Sequence, residues 1–426
     1  MEEGARRLTS PDRAGAFLTS HRPSRTAARQ RADSRRDEPM AVVERVSVTV
    51  FTTVTRSVVD GHGHRHPGPP RQVQEALLTV TDSDGASGHC LTQPDTVRET
   101  VIRGHIGPAL LGEDALDRER LWHAIARRQR GAQGNLSDRA LSAADQALHD
   151  LAGRRFGVPV WKLLGGARSR VPAYASTMCG DDIPGGLATA EDYAAFAKEL
   201  VSRGYRAIKL HTWMPPMPYG VARDIEACAA VREAVGPDVA LMLDSNHWYS
   251  RSEALTLGRA LDELAFAWYE EPMEEASVQS YRWLADQLRT PILGPETSWG
   301  KHMARAEWVA AGACDILRVG VVGSGGIIPA LKAVHLAESF GMECEIHGNG
   351  PGALAVIGAT RCGHWYERGL LHPHSDYDTP PPHLRSIVDP LAGGMVAMPE
   401  RPGLGDDLDH DYIAARTAAT WETGPQ

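Results

Sequence analysis

The sequence predicts an α/β barrel preceded by a smaller α+β domain. After Gly166, short apolar runs that are typical of buried strands alternate with amphipathic helical segments, and eight such runs are separated by seven helices. Strict alternation favours a parallel sheet, and this number of strands closes most naturally into a barrel. Before Gly166 the order differs, because strand-like runs come first and helical segments follow.

Composition limits the kind of partner. The chain of 426 residues carries a formal net charge of −9, which disfavours nucleic acid because phosphate neutralisation needs basic groups. No apolar run approaches the roughly 20 residues that a membrane-spanning helix needs. The six cysteines have no ligand-like spacing, as is typical of reduced thiols. We therefore expect a cytoplasmic protein whose partner is neither nucleic acid nor a membrane.

The start of the chain differs from the rest. Residues 1–39 contain nine arginines and no lysine and have almost no apolar periodicity, which predicts a disordered leader or a start assigned too far upstream. We place the α+β domain at 40–170 and the barrel at 171–370. The Pro- and Gly-rich segment 371–426 is expected to return to the first domain.

The α+β domain begins with two predicted strands. The runs "VERVSVTVFTTV" and "EALLTVTDSDG" have the composition of strands, and the loop "DGHGHRHPGPPR" joins them. A helical region follows and ends in "ALSAADQALHDLAGRRFGVPVWKLLGG" (140–166), where apolar and small residues recur at helical spacing.

The predicted barrel strands begin near residues 171, 206, 240, 266, 291, 315, 343 and 365. Amphipathic segments such as "EDYAAFAKELVSRG" and "ALKAVHLAESFG" lie between them. In a parallel barrel the functional side chains gather at the carboxyl ends of the strands. The polar residues at those ends are Lys209, His211, Asp244, Asn246, Glu270, Glu271, Glu296, Arg318 and His347.

Three of these acids recur at equal spacing. Asp244, Glu270 and Glu296 follow one another at intervals of 26 residues, so we expect them at the same height on consecutive strands and close together. Three anions share a small cavity only with a cation, and hard oxygen ligands favour Mg²⁺. The alternative is that each acid caps a helix or pairs with an arginine. Their common register favours a metal site.

A series of motifs runs through the chain in a specific order: "ADQALHDLAGRRFGVPVWKLLGG", "AIKLH", "LMLDSN", "WYEEP", "LGPETSW", "GACDIL", "EIHGNG" and "HWYER". In this order they resemble the mandelate racemase-like branch of the enolase superfamily, from Met40 to about Tyr412. The resemblance implies an α+β capping domain, completed by the C-terminal segment, on a modified TIM barrel of (βα)7β type. It also implies that Asp244, Glu270 and Glu296 are the ligands of Mg²⁺.

The resemblance implies a chemistry as well. Enzymes of this branch remove the proton next to a carboxylate and stabilise the resulting enediolate with Mg²⁺. Lys209 and His347 would flank the metal from opposite sides, with Lys209 as a base or an electrostatic clamp whose pKa is lowered by its surroundings. The usual pattern is Lys-x-Lys, and His211 stands at the second lysine, so either Lys209 or His211 is expected to be the base. The alternative for Lys209 is an ion pair with Glu270 or Glu296.

Two further positions bear on the expected reaction. Gly320 stands where this branch pairs an aspartate with His347, so His347 is expected to be a weak base that can still act as an acid. Glu367, in "HWYER", corresponds to the carboxylic acid that hydrogen-bonds the substrate carboxylate, and its alternative is an ion pair with Arg368. One base and one acid suit β-elimination of water. The sequence therefore favours dehydration of an aldonate- or aldarate-type sugar acid to a 2-keto-3-deoxy acid.

The loop of the capping domain is expected to close over the substrate. We predict that His62 and His64 bind the substrate, together with Asn246 and Glu271 at the strand ends. A second metal on the loop histidines is a weaker alternative, because alternate residues of a Gly- and Pro-rich loop rarely converge without further ligands.

Two other functions stay open from the sequence alone. A racemase or epimerase would use the same proton abstraction, and a non-catalytic sugar-acid-binding protein is conceivable because Gly320 replaces an aspartate. We expect a homo-oligomeric carbon–oxygen lyase of carbohydrate acid catabolism. The sequence identifies neither the sugar acid and its stereochemistry nor the base among Lys209, His211 and His347.

Overall fold

The computed structural model describes residues 41–424. The expected leader at residues 1–39 lies outside the described residues. The described chain forms an antiparallel capping sheet with helices and a mostly parallel α/β barrel, so the predicted fold class is confirmed. The domain boundaries at residues 40, 170 and 370 remain predictions. Among the described helices, none is long and apolar enough to cross a membrane.

The strands are numbered in chain order. They are β1 (Val43–Val59), β2 (Arg65–Asp82), β3 (Ser87–Thr92), β4 (Arg170–Thr177), β5 (Ala207–His211), β6 (Ala240–Asp244), β7 (Trp268–Glu270), β8 (Ile292–Gly294), β9 (Ile316–Gly320), β10 (Glu343–His347), β11 (Tyr366–Leu371), β12 (Leu391–Ala392), β13 (Met395–Ala397) and β14 (Thr417–Thr423).

The helices are numbered in the same way. They are α1 (Arg118–Gln129), α2 (Asp138–Phe156), α3 (Val160–Leu163), α4 (Ala190–Ser202), α5 (Val221–Val235), α6 (Arg251–Glu263), α7 (Val278–Ala285), α8 (Lys301–Ala311), α9 (Ile327–Ser339), α10 (Pro351–Ala359) and α11 (His410–Ala415). Four short helical stretches precede α1, at Pro94–Val97, Glu99–Val101, Ile102–Ile106 and Gly107–Leu110.

The capping sheet has the strand order β14–β1–β2–β3, and every neighbouring pair is antiparallel. β14 pairs with β1, so the C-terminal segment completes this sheet as predicted. Two details of the prediction were wrong. β3 was not expected, because "SGHCLT" has too few apolar residues to show alternation, and its pairing with β2 defines it. β2 begins at Arg65, inside the expected loop, because Arg65, His66 and Pro67 pair with β1.

The barrel strands form a parallel ladder from β4 through β10, and β11 pairs in parallel with β4. Helices α4 to α10 lie between these eight strands in strict alternation, as predicted. Apolar side chains from both strands and helices form one continuous core, for example Leu210, Leu243 and Leu317. This core holds the carboxyl ends of the strands in fixed positions.

Helix α2 of the capping region is joined to the barrel loop that follows β9. The Asp145 carboxylate accepts a hydrogen bond of 2.6 Å from the backbone N–H of Ile327, the first residue of α9. The Ser142 hydroxyl donates to the carbonyl of Val321 at 3.0 Å. Gly326 has φ 123°, and a Cβ there would lie 2.3 Å from Asp145 Oδ2, so this close approach requires glycine. The joint places the capping region beside the carboxyl end of β9.

Candidate active site

The carboxyl ends of the barrel strands open into a cavity of about 1290 Å³ that the capping hairpin β1–β2 also lines. Most of the residues predicted for the site lie on its wall. They are His64, Lys209, His211, Asp244, Asn246, Glu271, Glu296, His347 and Glu367. Glu270 is fully buried and contacts Lys209 on this wall. The side chain of His62 is exposed and does not line the cavity.

The equal spacing of the three acids predicted their level along the barrel strands correctly for Asp244 and Glu270 but not for Glu296. Asp244 and Glu270 are direct partners in the parallel pairing of β6 and β7. Glu270, however, is also the partner of Leu293 on β8. Glu296 therefore lies three residues farther along the chain, beyond the end of that strand. The expectation of a common height was wrong for Glu296, because the equal interval counts helix and loop residues as well as strand residues.

Lys209 is held among carboxylates. Its Nζ lies 2.8 Å from Glu270 Oε2, 3.1 Å from Asp244 Oδ2 and 3.1 Å from Glu367 Oε1, and its side chain is 1% exposed. Burial alone would lower the pKa of this ammonium, but the charges of Glu270, Glu367 and Asp244 outweigh burial and raise it well above its usual range. The expectation that the surroundings lower the pKa of Lys209 is therefore wrong for these side-chain positions. Its expected contact with Glu270 is present.

Arg318 is a second buried cation of the site, to which the sequence analysis assigned no role. It lies on β9 and is fully buried, with Nε 2.7 Å from Glu270 Oε1 and Nη2 2.9 Å from Glu367 Oε2. Glu296 Oε2 is 3.6 Å from the same Nε. The only sequence signal was its position among the polar residues at the strand ends, and charge pairing between strands could not be deduced from that position.

The carboxylates carry more charge than these cations neutralise. Asp244, Glu270, Glu296 and Glu367 bring four negative charges, and the two cations Lys209 and Arg318 bring two positive ones. With the two histidines that contact these carboxylates, His211 and His347, counted as neutral, the remainder is two negative charges in a largely buried place. Such a remainder is costly without a counter-ion and equals the charge of one divalent cation.

The donor atoms fit a hard cation as well. Among the described residues, Glu271 Oε1 and Glu296 Oε2 are buried without a hydrogen-bond donor. Burial raises the pKa of Glu271 well above its usual range, and the neighbouring charges of Glu296 and Asp244 raise it further. Unpaired carboxylate oxygens in a crowded acidic pocket are the ligands that Mg²⁺ prefers. Charge and donor type therefore fit a magnesium ion.

The three predicted ligands are not gathered around one point in this arrangement. Lys209 lies between Asp244 and Glu270, and Arg318 lies between Glu270 and Glu296. Within residues 41–424, one group of acidic or histidine side chains has its ligand atoms all within 4.8 Å of one another. It lies near the amino end of β10, away from the cavity, and consists of Glu343, Glu345 and His364.

The two strand-end histidines have different surroundings. His211 Nδ1 lies 2.8 Å from the carbonyl oxygen of Thr177, and its Nε2 lies 3.0 Å from Asp244 Oδ2. His347 Nε2 lies 3.0 Å from Glu296 Oε1. Burial would lower the pKa of His347, but the charge and the hydrogen bond of Glu296, together with the charge of Glu367, outweigh burial and raise it.

Gly320 lies beside His347, as the alignment of the motifs predicted. The two residues are partners in the pairing of β9 and β10, and a Cβ on Gly320 would lie 3.0 Å from His347 Nδ1. Glycine offers no carboxylate at this position. The carboxylate that contacts the imidazole is Glu296, on the other ring nitrogen.

Glu367 faces the cavity and Arg368 points away from it, because successive residues of a strand point to opposite sides. Glu367 Oε2 accepts hydrogen bonds from Arg318 and from the backbone N–H of Gly348 at 2.8 Å. Lys209 and Arg318 outweigh burial and lower the pKa of Glu367 well below its usual range. The alternative of a Glu367–Arg368 ion pair is not found, since Arg368 contacts Asp378 instead.

The capping hairpin is attached to the barrel through His64. Its Nε2 lies 2.7 Å from Asn246 Nδ2, and its Nδ1 lies 3.3 Å from Asp60 Oδ2. The backbone N–H of Asn246 donates in turn to Asp244 Oδ1 at 2.9 Å. His66 also contacts Asp60, at 3.1 Å. The hairpin loop therefore lies directly beside the acidic cluster.

Comparison with known proteins agrees with this arrangement. A family model described as "Enolase C-terminal domain-like" matches residues 192–412, and one described as "Mandelate racemase / muconate lactonizing enzyme, N-terminal domain" matches residues 50–165. The chain belongs to the mandelate racemase/muconate lactonizing enzyme family of the enolase superfamily. The resemblance deduced from the sequence motifs is therefore confirmed.

Several proteins with a named activity are similar to this chain. The D-galactarolactone cycloisomerase of Agrobacterium fabrum is 32% identical over 350 residues, which are 79% of this chain and 89% of that protein. The L-talarate/galactarate dehydratase of Salmonella typhimurium is 32% identical over 66% of this chain and 69% of that protein. A crystal structure of D-glucarate dehydratase from Agrobacterium tumefaciens, complexed with magnesium, is 55% identical, has a TM-score of 0.88, and covers 90% of this chain and 100% of that chain.

Proposed function

We propose that this protein is a magnesium-dependent sugar-acid dehydratase, a hydro-lyase that converts an aldonate- or aldarate-type acid to a 2-keto-3-deoxy acid. The observation that carries the proposal is the 55% identity to a magnesium-bound D-glucarate dehydratase over 100% of that chain. The cavity agrees with this proposal, since the carboxylates of its acidic cluster outnumber the buried cations Lys209 and Arg318 by two.

Asp244, Glu270 and Glu296 would hold the magnesium ion. The charge remainder and the unpaired oxygen of Glu296 support this assignment. When bound, Mg²⁺ stabilises the negative charge that develops on the substrate carboxylate during loss of the adjacent proton. Glu271, which lines the cavity beside these ligands, would lie near the bound acid.

The chain's own residues would move the protons. Lys209 and His211 lie on β5 and would take the α-proton, and His347 on β10 would protonate the departing hydroxyl group. Gly320 supports this division of roles, because it provides no carboxylate to orient His347 as a base. Exchange of the α-proton with D₂O in Lys209→Met and His211→Asn variants would distinguish the two candidate bases.

Further groups would position the substrate. Asn246 and His64 lie at the junction of hairpin and barrel, so we assign them to the substrate side of the cavity. Glu367 is the remaining candidate for contact with the substrate carboxylate. Lys209 already contacts one carboxylate oxygen of Glu367, and Arg318 and the backbone N–H of Gly348 contact the other. Glu367 would therefore affect the substrate indirectly, by holding Lys209 in position. His62, on the same loop as His64, is the other candidate for substrate binding. A homo-oligomeric state and a cytoplasmic location are part of this proposal.

The proposal is tested by turnover. The wild-type protein is incubated with MgCl₂ and a set of aldonic, aldaric and uronic acids, and keto-acid formation is measured as the semicarbazone. We expect activity on at least one acid, its loss with EDTA, and its recovery with excess Mg²⁺. Glu296→Gln is expected to lower kcat/KM by roughly 10³-fold, because several kcal/mol of charge stabilisation are lost. The matched control Glu263→Gln changes an exposed residue and is expected to leave activity unchanged.

The same assay tests the other functions. An epimerase or racemase in D₂O would yield α-deuterated starting material without a ketone. A binding protein would show a rise in melting temperature with a sugar acid and Mg²⁺ but no turnover. Either result would contradict the dehydratase proposal.

A further inference from the structure

Glu296 differs from the other two proposed magnesium ligands in how its main chain is held. Asp244 and Glu270 are the last residues of β6 and β7, and they pair with each other in the parallel ladder. Glu296 follows β8 by two residues, and the last pair of that strand is Gly294 with Leu317. Among the described strand pairs, none includes Glu296. The main chain of Glu296 must therefore be held by other groups.

A buried carboxylate binds the N–H groups of this segment. Glu275 lies in the loop after β7, and its side chain is buried. Its Oε1 accepts a hydrogen bond of 2.6 Å from the backbone N–H of Glu296, and its Oε2 accepts from the backbone N–H groups of Thr297 and Ser298, both at 2.7 Å. The Thr297 hydroxyl donates to the same oxygen at 2.8 Å. Hydrogen bonds to a charged acceptor are about twice as strong as those between neutral groups.

A buried guanidinium group binds the carbonyl groups of the same segment. Arg305 lies on α8 and is buried. Its Nη2 donates to the carbonyls of Glu296 at 2.6 Å and Pro295 at 3.1 Å, and its Nη1 donates to the carbonyl of Ser298 at 2.9 Å. Its Nε donates to the carbonyl of Arg318 on β9 at 3.2 Å. Arg305 therefore joins the segment that carries Glu296 to the neighbouring strand.

We infer that Glu275 and Arg305 are positioning residues that fix Glu296 as a ligand of the divalent ion. The inference rests on the proposed function, in which Glu296 holds Mg²⁺. Glu296 Oε2 is buried without a hydrogen-bond donor, while its Oε1 lies 3.0 Å from His347 Nε2, so the direction of the carboxylate depends on where the main chain is held. Magnesium requires near-ideal octahedral geometry. Displacing the main chain of one ligand should therefore weaken binding of the ion.

The test measures affinity for Mg²⁺ by calorimetry with MgCl₂ and without substrate, for wild type, Glu275→Gln, Arg305→Gln and Thr297→Val. We expect weaker binding in all three variants. The loss should be roughly 10- to 100-fold for Glu275→Gln and Arg305→Gln, because groups that orient a metal ligand typically affect affinity on this scale. It should be smaller for Thr297→Val, roughly 2- to 10-fold, because one hydrogen bond to Glu275 is lost and no charge changes.

The sign of the effect separates positioning from charge. Removal of a nearby negative charge weakens binding of a cation, whereas removal of a nearby positive charge strengthens it. Tighter binding of Mg²⁺ by Arg305→Gln would therefore show a purely electrostatic effect and overturn the inference. Unfolding in urea with EDTA shows whether each variant is folded. If Arg305→Gln does not fold, Thr297→Val decides the question, and wild-type affinity in that variant would overturn the inference.

The matched control is Glu274→Gln, which removes the same charge from the neighbouring, exposed residue. Its affinity for Mg²⁺ is expected to equal that of wild type. Turnover of sugar acids is measured in parallel by the keto-acid assay. Equal affinities of Glu275→Gln and Glu274→Gln would overturn the inference even if the enzyme dehydrates sugar acids. Weaker Mg²⁺ binding in both Glu275→Gln and Thr297→Val, in a protein that turns over no acid, would leave the inference standing and refute the dehydratase proposal.

Discussion

The substitution Arg318→Gln tests the charge balance of the acidic cluster most directly. Arg318 is fully buried and lies within 2.9 Å of two carboxylates, those of Glu270 and Glu367, with Glu296 at 3.6 Å. Removing one partner of a buried ion pair typically costs about 3–5 kcal/mol, because the other charge is left buried and uncompensated. The uncompensated charge of the cluster would rise from two to three.

Magnesium should therefore restore more stability to the variant than it adds to the wild type. An ion at 100 times its Kd stabilises a folded protein by about 2.7 kcal/mol. In the variant, Glu270 Oε1 loses the guanidinium group 2.7 Å away and Glu296 Oε2 loses the guanidinium group 3.6 Å away, so both oxygens are open to the ion. We expect unfolding in urea to show a loss of about 3–5 kcal/mol in EDTA and a smaller loss with MgCl₂.

The control for this measurement is Arg289→Gln. Arg289 pairs with Glu263 at 2.8 Å, but both side chains are largely exposed, at 72% and 80%. Exposed pairs contribute little, so the free energy of unfolding should change by less than about 0.5 kcal/mol. The reasoning fails if Arg318→Gln in EDTA lies within about 1 kcal/mol of wild type. An equal response of both proteins to Mg²⁺ would show that Arg318 and the ion do not share carboxylates.

Two further predictions concern the capping region. Burial raises the pKa of Asp145 from 3.8 to about 7. Since the folded state then binds the extra proton, this group's contribution to stability falls as pH rises from about 4 to about 7. The wild type should therefore lose up to about 4 kcal/mol of unfolding free energy between pH 4 and pH 7 that the variant Asp145→Asn does not lose. The measurement is chemical denaturation of both proteins at pH 5 and pH 8. An equal difference in unfolding free energy between wild type and variant at the two pH values would contradict the prediction. Gly88→Ala should destabilise by at least about 3 kcal/mol, because its Cβ would lie 2.1 Å from the carbonyl oxygen of Ala147. Gly104→Ala meets no atom within 4 Å, and a loss as large as that of Gly88→Ala in thermal unfolding would refute the steric explanation.

Much of the fold could be predicted from the pattern of the chain. Each barrel strand is a short apolar run followed by a polar residue, and each helix has an amphipathic repeat, so element type and order follow from local sequence. The position of the site follows too, because the carboxyl ends of parallel strands meet at one end of a barrel. For this reason Lys209, Asp244 and His347 could be predicted as cavity residues from the sequence alone.

The details that the sequence did not predict all depend on contacts between separate segments of the chain. β3 exists because β2 offers it a pairing edge, and β2 begins as early as Arg65 because Arg65, His66 and Pro67 pair with β1. Neither pairing shows in the local spacing of apolar residues, so periodicity could not reveal it.

By itself the sequence determined the barrel, its strand ends and the set of acids that can hold a cation. Only the tertiary structure decided how charge is shared among these acids. Lys209 and Arg318 lie between carboxylates on β6, β7 and β11 and the carboxylate of Glu296, which follows β8. The height of Glu296 beyond β8 was decided in the same way. The reason is physical, since electrostatic interaction depends on distances of a few ångströms, and packing sets those distances between residues that are far apart in the chain.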